Sequence, residues 1–134
     1  MVLNNVILST PIVCIVLVII NIKRGHLITE GRDELNEEFY EALHKILGKV
    51  NKTDYIMLIG HMNARVGNNR FANIVGTNGE ATLNSNSRTW IDFCTFKNLK
   101  IMNTFFKHNE IHKCTWEASG HKSIIDYFIT NMKI

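Results

Sequence analysis

One stretch of the chain has the hydrophobic period of an amphipathic helix. Asp33 is suited to cap a helix that starts at Glu34, and Gly48 is suited to end it. Between them the apolar side chains recur every three or four positions: Leu35, Phe39, Ala42, Leu43, Ile46 and Leu47. The pattern predicts a helix with one buried face, and the glutamates between these positions occupy the opposite, solvated face.

Uncharged apolar runs predict strands before and after that helix. Residues 6–22 carry no charge and are rich in β-branched side chains, which favours two buried strands joined by a turn at 9–11. The uninterrupted core of this run, residues 12–20, is shorter than the ~20 apolar residues of a spanning helix. A membrane anchor through 6–22 is the alternative. The run Tyr55–Ile59 ends at Gly60 and is typical of a strand buried on both faces.

The remaining elements are predicted from weaker patterns. Residues 67–87 are rich in Gly, Asn, Ser and Thr and are typical of a long surface loop. Ser87 is placed to cap a second helix through Phe96. Three further strands are predicted by short apolar runs: 99–106, 112–116 and 123–129, with residues 117–122 as the turn between the last two.

Helix followed by buried strand indicates an α/β fold. Ligands of such folds bind at the carboxyl ends of the strands, so the polar residues after the strand at 55–59 are site candidates. These residues are His61, Met62 and Asn63.

Composition narrows the class of protein. The chain has 134 residues, of which 46% are hydrophobic and 20% charged, as in a globular domain, and this excludes disordered and collagen-like chains. Three cysteines without paired spacing indicate a reducing compartment, hence a nuclear or cytoplasmic location. The net charge is +3, and residues 61–122 hold eight Lys and Arg against four Asp and Glu. This excess permits a phosphate-bearing partner such as DNA.

Several strings together resemble one family. Residues 54–67, DYIMLIGHMNARVG, are similar to the strand and G-D-x-N-A-x-x-G motif of the endonuclease/exonuclease/phosphatase superfamily. Residues 91–94 (IDFC), 99–106 (LKIMNTFF), 112–116 (HKCTW) and 123–129 (SIIDYFI) follow in the order of its retrotransposon branch. The resemblance is closest to the craniofacial development protein 2-like group and covers residues 33–134. We therefore expect apolar N-terminal strands and a loop over residues 1–32, and a partial endonuclease-like domain over 33–134.

The resemblance implies a fold, a reaction and a site. The fold would be an incomplete four-layered α/β sandwich, and the ancestral reaction would be Mg²⁺-dependent hydrolysis of DNA phosphodiesters. Asn63 matches the family asparagine that contacts the scissile phosphate, and Asp126 matches the aspartate that supports the catalytic histidine. Arg65, Thr115 and Trp116 match or adjoin positions that border the substrate.

The departures from the family pattern weaken the expected activity. His61 stands where the family has an aspartate, and a histidine lacks the negative charge that orients water near Mg²⁺. The half of the domain that supplies the principal metal-binding glutamate has no counterpart, and the terminal S-D-H motif would lie beyond Ile134. We predict no metal ligands here and weak or absent hydrolysis. The alternatives are a non-catalytic module that binds nucleic acid or protein, and a non-functional gene fragment.

Overall fold

A five-stranded mixed sheet organises the chain. The computed structural model describes residues 2–9, 14–21 and 33–133, with side chains from residue 37 onward. The elements in chain order are β1 (Val2–Ser9), β2 (Cys14–Asn21), α1 (Asp33–Leu47), β3 (Tyr55–His61), α2 (Ser85–Phe96), β4 (Lys100–Ile101), a 3₁₀ turn (Met102–Thr104), α3 (Glu110–Lys113), β5 (Trp116–Ala118), β6 (His121–Ser123) and β7 (Asp126–Thr130). The mixed α/β class predicted from the sequence is thereby confirmed.

The strand order in the sheet is β1-β2-β3-β7-β4, and β5 and β6 form a separate hairpin. β2 and β3 are parallel with α1 between them in the chain, and all other neighbours are antiparallel. The predicted N-terminal strand pair is confirmed, although most of the turn predicted at 9–11 lies outside the described residues. β2 precedes residue 32 and β3 follows it, and the two strands pair in one sheet. The division of the chain into residues 1–32 and 33–134 stays a prediction.

Helix α1 forms where the period predicted it, one residue earlier than Glu34. Its buried residues Phe39, Leu43 and Leu47 pack in one core with Leu58 of β3 and Ile129 of β7. Aromatic rings join α1 to α2 within the same core, since the ring centroids of Tyr40 and Phe93 lie 5.4 Å apart. Within α2, Trp90 stacks on Phe93 with 5.6 Å between the ring centroids. Both helices therefore contribute to the core on one face of the sheet.

The other face of the sheet is more exposed than the sequence predicted. Leu58 is fully buried, but its neighbour Ile59 is 41% exposed and Tyr55 is 40% exposed. Side chains alternate between the two faces of a strand, so Tyr55, Ile59 and His61 lie opposite the helical side. The prediction that β3 is buried on both faces is wrong, because the described helices cover one face only.

Two of the predicted strands and the predicted loop are also corrected. The run at 99–106 forms only the short β4, because the Thr104 hydroxyl donates to the Ile101 carbonyl at 2.7 Å and turns the chain into a 3₁₀ turn. The run at 112–116 contains the end of α3 and the start of β5. The segment at 67–87 is not all surface loop, since Ile74 and Val75 are buried in the core.

The last predicted strand and the hairpin before it are close to expectation. The run at 123–129 is divided between the end of β6 and β7, with residues 124 and 125 between them. The turn predicted at 117–122 is shorter in the structure and is the tip of the β5–β6 hairpin at residues 119 and 120, because the residues on either side pair as strands. Among the residues that the structure describes, no helix has both the length and the apolar composition to cross a membrane.

Adjacent residues of β3 test this one-sided burial. We expect Leu58→Ala to lower the free energy of unfolding by about 2–5 kcal/mol, because it leaves a cavity in the core. The matched variant Ile59→Ala removes a side chain from the exposed face, and we expect it to lower the free energy of unfolding by about 1 kcal/mol. Urea denaturation measures both, and equal costs would contradict burial on one face alone.

Candidate functional site

The site is built on the pairing of β3 with β7. His61 is the last residue of β3 and Asp126 is the first residue of β7, and the antiparallel register places them directly opposite each other. His61 Nδ1 lies 3.0 Å from Asp126 Oδ1. The two side chains are 29% and 44% exposed, so the pair is open to solvent at one end of the sheet. His61 was expected just after the strand, and the structure corrects this by extending β3 through it.

Two neighbouring side chains fix the backbone of Asp126. The Thr115 hydroxyl oxygen accepts hydrogen bonds from the amides of Ile125 and Asp126 at 3.1 and 3.2 Å. The side-chain amide nitrogen of Asn103 donates to the Asp126 carbonyl at 3.3 Å, and the side-chain oxygen of Asn103 accepts from the backbone amide of Phe128 at 2.8 Å. Thr115 thus acts on the strand start that carries Asp126, rather than through a contact with the carboxylate.

Asn63 lies two residues beyond the end of β3 in a left-handed backbone conformation, with φ of +47°. Asparagine tolerates this region better than most residues. Its carbonyl accepts hydrogen bonds from the side-chain amides of Asn84 and Asn86, at 3.0 and 3.1 Å. The turn after β3 is therefore fastened to the start of α2.

The same helix start fixes Arg65. The Asn84 side-chain oxygen accepts from the Arg65 amide at 3.0 Å, and the Ser87 hydroxyl donates to the Arg65 carbonyl at 2.6 Å. The cap of α2 is Asn84 rather than Ser87, which corrects the prediction: Ser87 is the third residue of the helix and its hydroxyl accepts from the Asn84 amide. The hydroxyl that was expected to cap the helix instead links it to the segment after β3.

A half-buried carboxylate joins Arg65 to the segment before Asp126. Glu80 Oε1 lies 3.6 Å from Arg65 Nε, and Glu80 Oε2 accepts the Ile124 amide at 2.6 Å. The Tyr127 hydroxyl lies 2.8 Å from the Ala64 carbonyl and 2.6 Å from that of Ile124. Burial raises the pKa of Tyr127 above its usual range, so its hydroxyl stays protonated and keeps donating.

Trp116 lies apart from this network of hydrogen bonds. It is in β5, opposite Ser123 of β6, and the residue is 39% exposed. Its neighbour Thr115 is tied to the strand start at Asp126, as described above. Of the six residues singled out in the sequence, the structure joins His61, Asp126 and Thr115 on one side and Asn63 and Arg65 on the other.

The described donor set does not fit Mg²⁺. This cation prefers several hard oxygen ligands in octahedral geometry. Here one carboxylate oxygen of Asp126 already faces an imidazole nitrogen, and His61 offers nitrogen in place of oxygen. Within residues 37–133, no three side chains of His, Cys, Asp or Glu come together in a way that could hold a metal ion. We therefore assign no step at this site to a bound metal.

Several residues that hold the site were not selected from the sequence. Their common feature is that they bridge segments far apart in the chain: Glu80, Asn84, Asn86, Asn103 and Tyr127. Asn84 and Asn86 lie in the polar stretch 67–87 that is predicted as loop, and Glu80 in the same stretch has no local pattern around it. Asn103 and Tyr127 lie in the strings 99–106 and 123–129 that resemble the family, and this position is the signal that the sequence offers for them.

A substitution at Thr115 tests its role in the site. Thr115→Val keeps the shape of the side chain but removes the oxygen that accepts two backbone amides. We expect it to lower the free energy of unfolding by about 1–3 kcal/mol, because those donors lose their partner. Thr115→Ser retains the hydroxyl and should cost clearly less in the same denaturation experiment. A loss in Thr115→Ser as large as the loss in Thr115→Val would contradict the assignment of this stability to the hydroxyl oxygen.

Most of the chain is similar in sequence to a short part of a longer known protein. The chain is 34% identical over 97 residues to a protein of Tragulus javanicus named craniofacial development protein 2, and 33% identical over 97 residues to the protein of that name from Bos taurus. The match covers 71% of this chain but only 17% and 16% of those relatives, so the chain spans about one sixth of their length. No family model and no solved structure matches the chain. Over most of its length, the chain is thus similar in sequence to craniofacial development protein 2.

Proposed function

We propose that this chain is a degenerate endonuclease-like domain of the retrotransposon type, with weak or absent hydrolysis of DNA. The observation that carries the proposal is the pair formed by His61 and Asp126 at the end of the sheet. Asn63 and Asp126 match the family motifs. Asn63 lies two residues beyond the end of β3, and Asp126 is the first residue of β7. The residue that replaces the family aspartate, His61, occupies the centre of the same group.

The chemistry of the pair supports weak activity. A second carboxylate opposite Asp126 would concentrate negative charge and oxygen ligands at this point, as Mg²⁺-assisted hydrolysis requires. An imidazole in that place neutralises part of the charge of Asp126 through a hydrogen bond. The site then keeps its backbone framework without the ligands that Mg²⁺-dependent cleavage of DNA needs.

The exposed face of the sheet supports the finer fold assignment. In a four-layered sandwich, each of two sheets has helices on one face and the other sheet on its second face. The face that carries Tyr55, Ile59 and His61 lies opposite the helical side and exposes apolar side chains. We propose that the chain is one sheet with its helices from such a sandwich, and that this face corresponds to the one between the sheets.

The basic residues of 61–122 give less support to a separate binding module. Three of their eight positive charges have acidic neighbours: Arg65 with Glu80, Lys113 with Glu110, and Lys122 with Glu117. Lys100 is buried. The excess positive charge that the sequence suggests is thus partly neutralised within the described chain.

Nicking of supercoiled plasmid in Mg²⁺ and in EDTA tests the proposal. We expect the unchanged chain and Asn63→Ala to show the same low rate, because the metal-assisted step is already lost. The variant His61→Asp restores the second carboxylate, and we expect it to raise the EDTA-sensitive rate above that of the unchanged chain.

The proposal fails if the unchanged chain nicks DNA with robust, EDTA-sensitive turnover that Asn63→Ala abolishes. Circular dichroism of each variant is the control for folding. A known Mg²⁺-dependent nuclease in the same buffer is the control for the assay.

A further inference from the structure

We propose that His61 is the general base of a metal-independent cleavage of RNA, with Asp126 as its positioning residue. The inference goes beyond the proposed function, because it concerns a different substrate and a different reaction. It rests on the geometry of the pair: 3.0 Å between His61 Nδ1 and Asp126 Oδ1, on residues that the register holds opposite each other.

The partner of Nδ1 determines what the other ring nitrogen can do. An ionised carboxylate only accepts hydrogen bonds, so the hydrogen bond requires the proton of neutral His61 to be on Nδ1. Nε2 is then the acceptor of the ring. The His61 side chain is 29% exposed, and no hydrogen bond to Nε2 comes from any residue that the structure describes. A base with this orientation is available to a substrate at the solvent-facing end of the sheet.

Asp126 is itself held in place, which is what a positioning residue requires. Thr115 accepts from its amide and Asn103 donates to its carbonyl, so the start of β7 is fixed on both sides. Orientation of a catalytic histidine by a carboxylate on the opposite ring nitrogen is a general device for proton transfer. The pair is therefore preorganised by the backbone of two hydrogen-bonded strands.

The ribose 2′-hydroxyl is the nucleophile that fits a single base. It is part of the substrate and adjacent to the phosphorus, so its attack needs only removal of its proton. In the step we propose, Nε2 of His61 takes the proton of the 2′-hydroxyl while O2′ bonds to phosphorus. The bond from phosphorus to O5′ breaks, O5′ takes a proton from water, and His61 returns its proton to solvent. The products are a 2′,3′-cyclic phosphate and a 5′-hydroxyl end.

Incubation of a short oligoribonucleotide with the chain in EDTA tests the inference. We expect cleavage to a cyclic phosphate, detected by mass spectrometry, and no cleavage of the same sequence with 2′-O-methyl sugars. His61→Ala should lower kcat by about 10²-fold or more, in line with the loss of a general base. Added imidazole should restore part of that rate. Asp126→Asn should lower kcat with little change in KM, because it misorients the ring without removing a substrate contact.

The matched control is His108→Gln, which alters an exposed histidine outside the site and should leave the rate unchanged. Absence of any cyclic phosphate product from the folded, unchanged chain would overturn the inference. So would cleavage that persists in His61→Ala, or cleavage of the 2′-O-methyl substrate. These results are distinct from failure of the proposed function, which would appear as Mg²⁺-dependent nicking of DNA.

Discussion

The hydrogen-bonded pairing of β3 with β7 determines the rest of the site. This register places Leu58 opposite Ile129 on the face packed by the helices, and His61 opposite Asp126 on the other face. A shift by one residue would turn the histidine and the aspartate away from each other and expose the core residues. One constraint of backbone geometry thus fixes both the core and the chemistry, and the hydrogen bonds of Thr115 and Asn103 act to keep the start of β7 in place.

The segment between β3 and α2 has a second, supporting role. Asparagine side chains and the half-buried Glu80 make its hydrogen bonds, while Ile74 and Val75 pack in the core. Asn84 contacts both Asn63 and Arg65, and Glu80 connects Arg65 to Ile124 in the segment that precedes Asp126. Because hydrogen bonds depend strongly on geometry, this network holds the turn after β3 in one conformation. The backbone of Gly76 lies so close to the Thr104 carbonyl oxygen that an added Cβ would clash with it, and this close approach also restrains the loop.

The parts of the fold that the sequence predicted are those with strong local patterns. The period of Phe39, Leu43 and Leu47 predicted α1, and the apolar run at 55–59 predicted β3. The parts that it did not predict depend on distant contacts. The buried course of Ile74 and Val75 follows from packing against the core, and the short length of β4 follows from the hydroxyl of Thr104, which no periodicity reveals.

The candidate site likewise has residues that the sequence predicts and a contact between them that depends on distant parts of the chain. Motif resemblance selects His61, Asn63 and Asp126, but it implies that Asp126 supports the histidine of another family motif. The hydrogen bond of Asp126 to His61 could not be predicted, because it depends on the register of two strands 65 residues apart in the sequence. The sheet gives the aspartate a different partner from the one that the family pattern implied, and the charge and ligand chemistry of the site change with it.

The position of the imidazole proton is the property on which this account depends most directly. Long-range ¹H–¹⁵N correlation spectra of selectively labelled histidine measure it, with His61→Gln to assign the signal. We predict that neutral His61 carries its proton on Nδ1 and that Asp126→Ala removes this preference. A proton on Nε2 in the unchanged, folded chain, or a tautomer that Asp126→Ala leaves unaltered, would contradict the account.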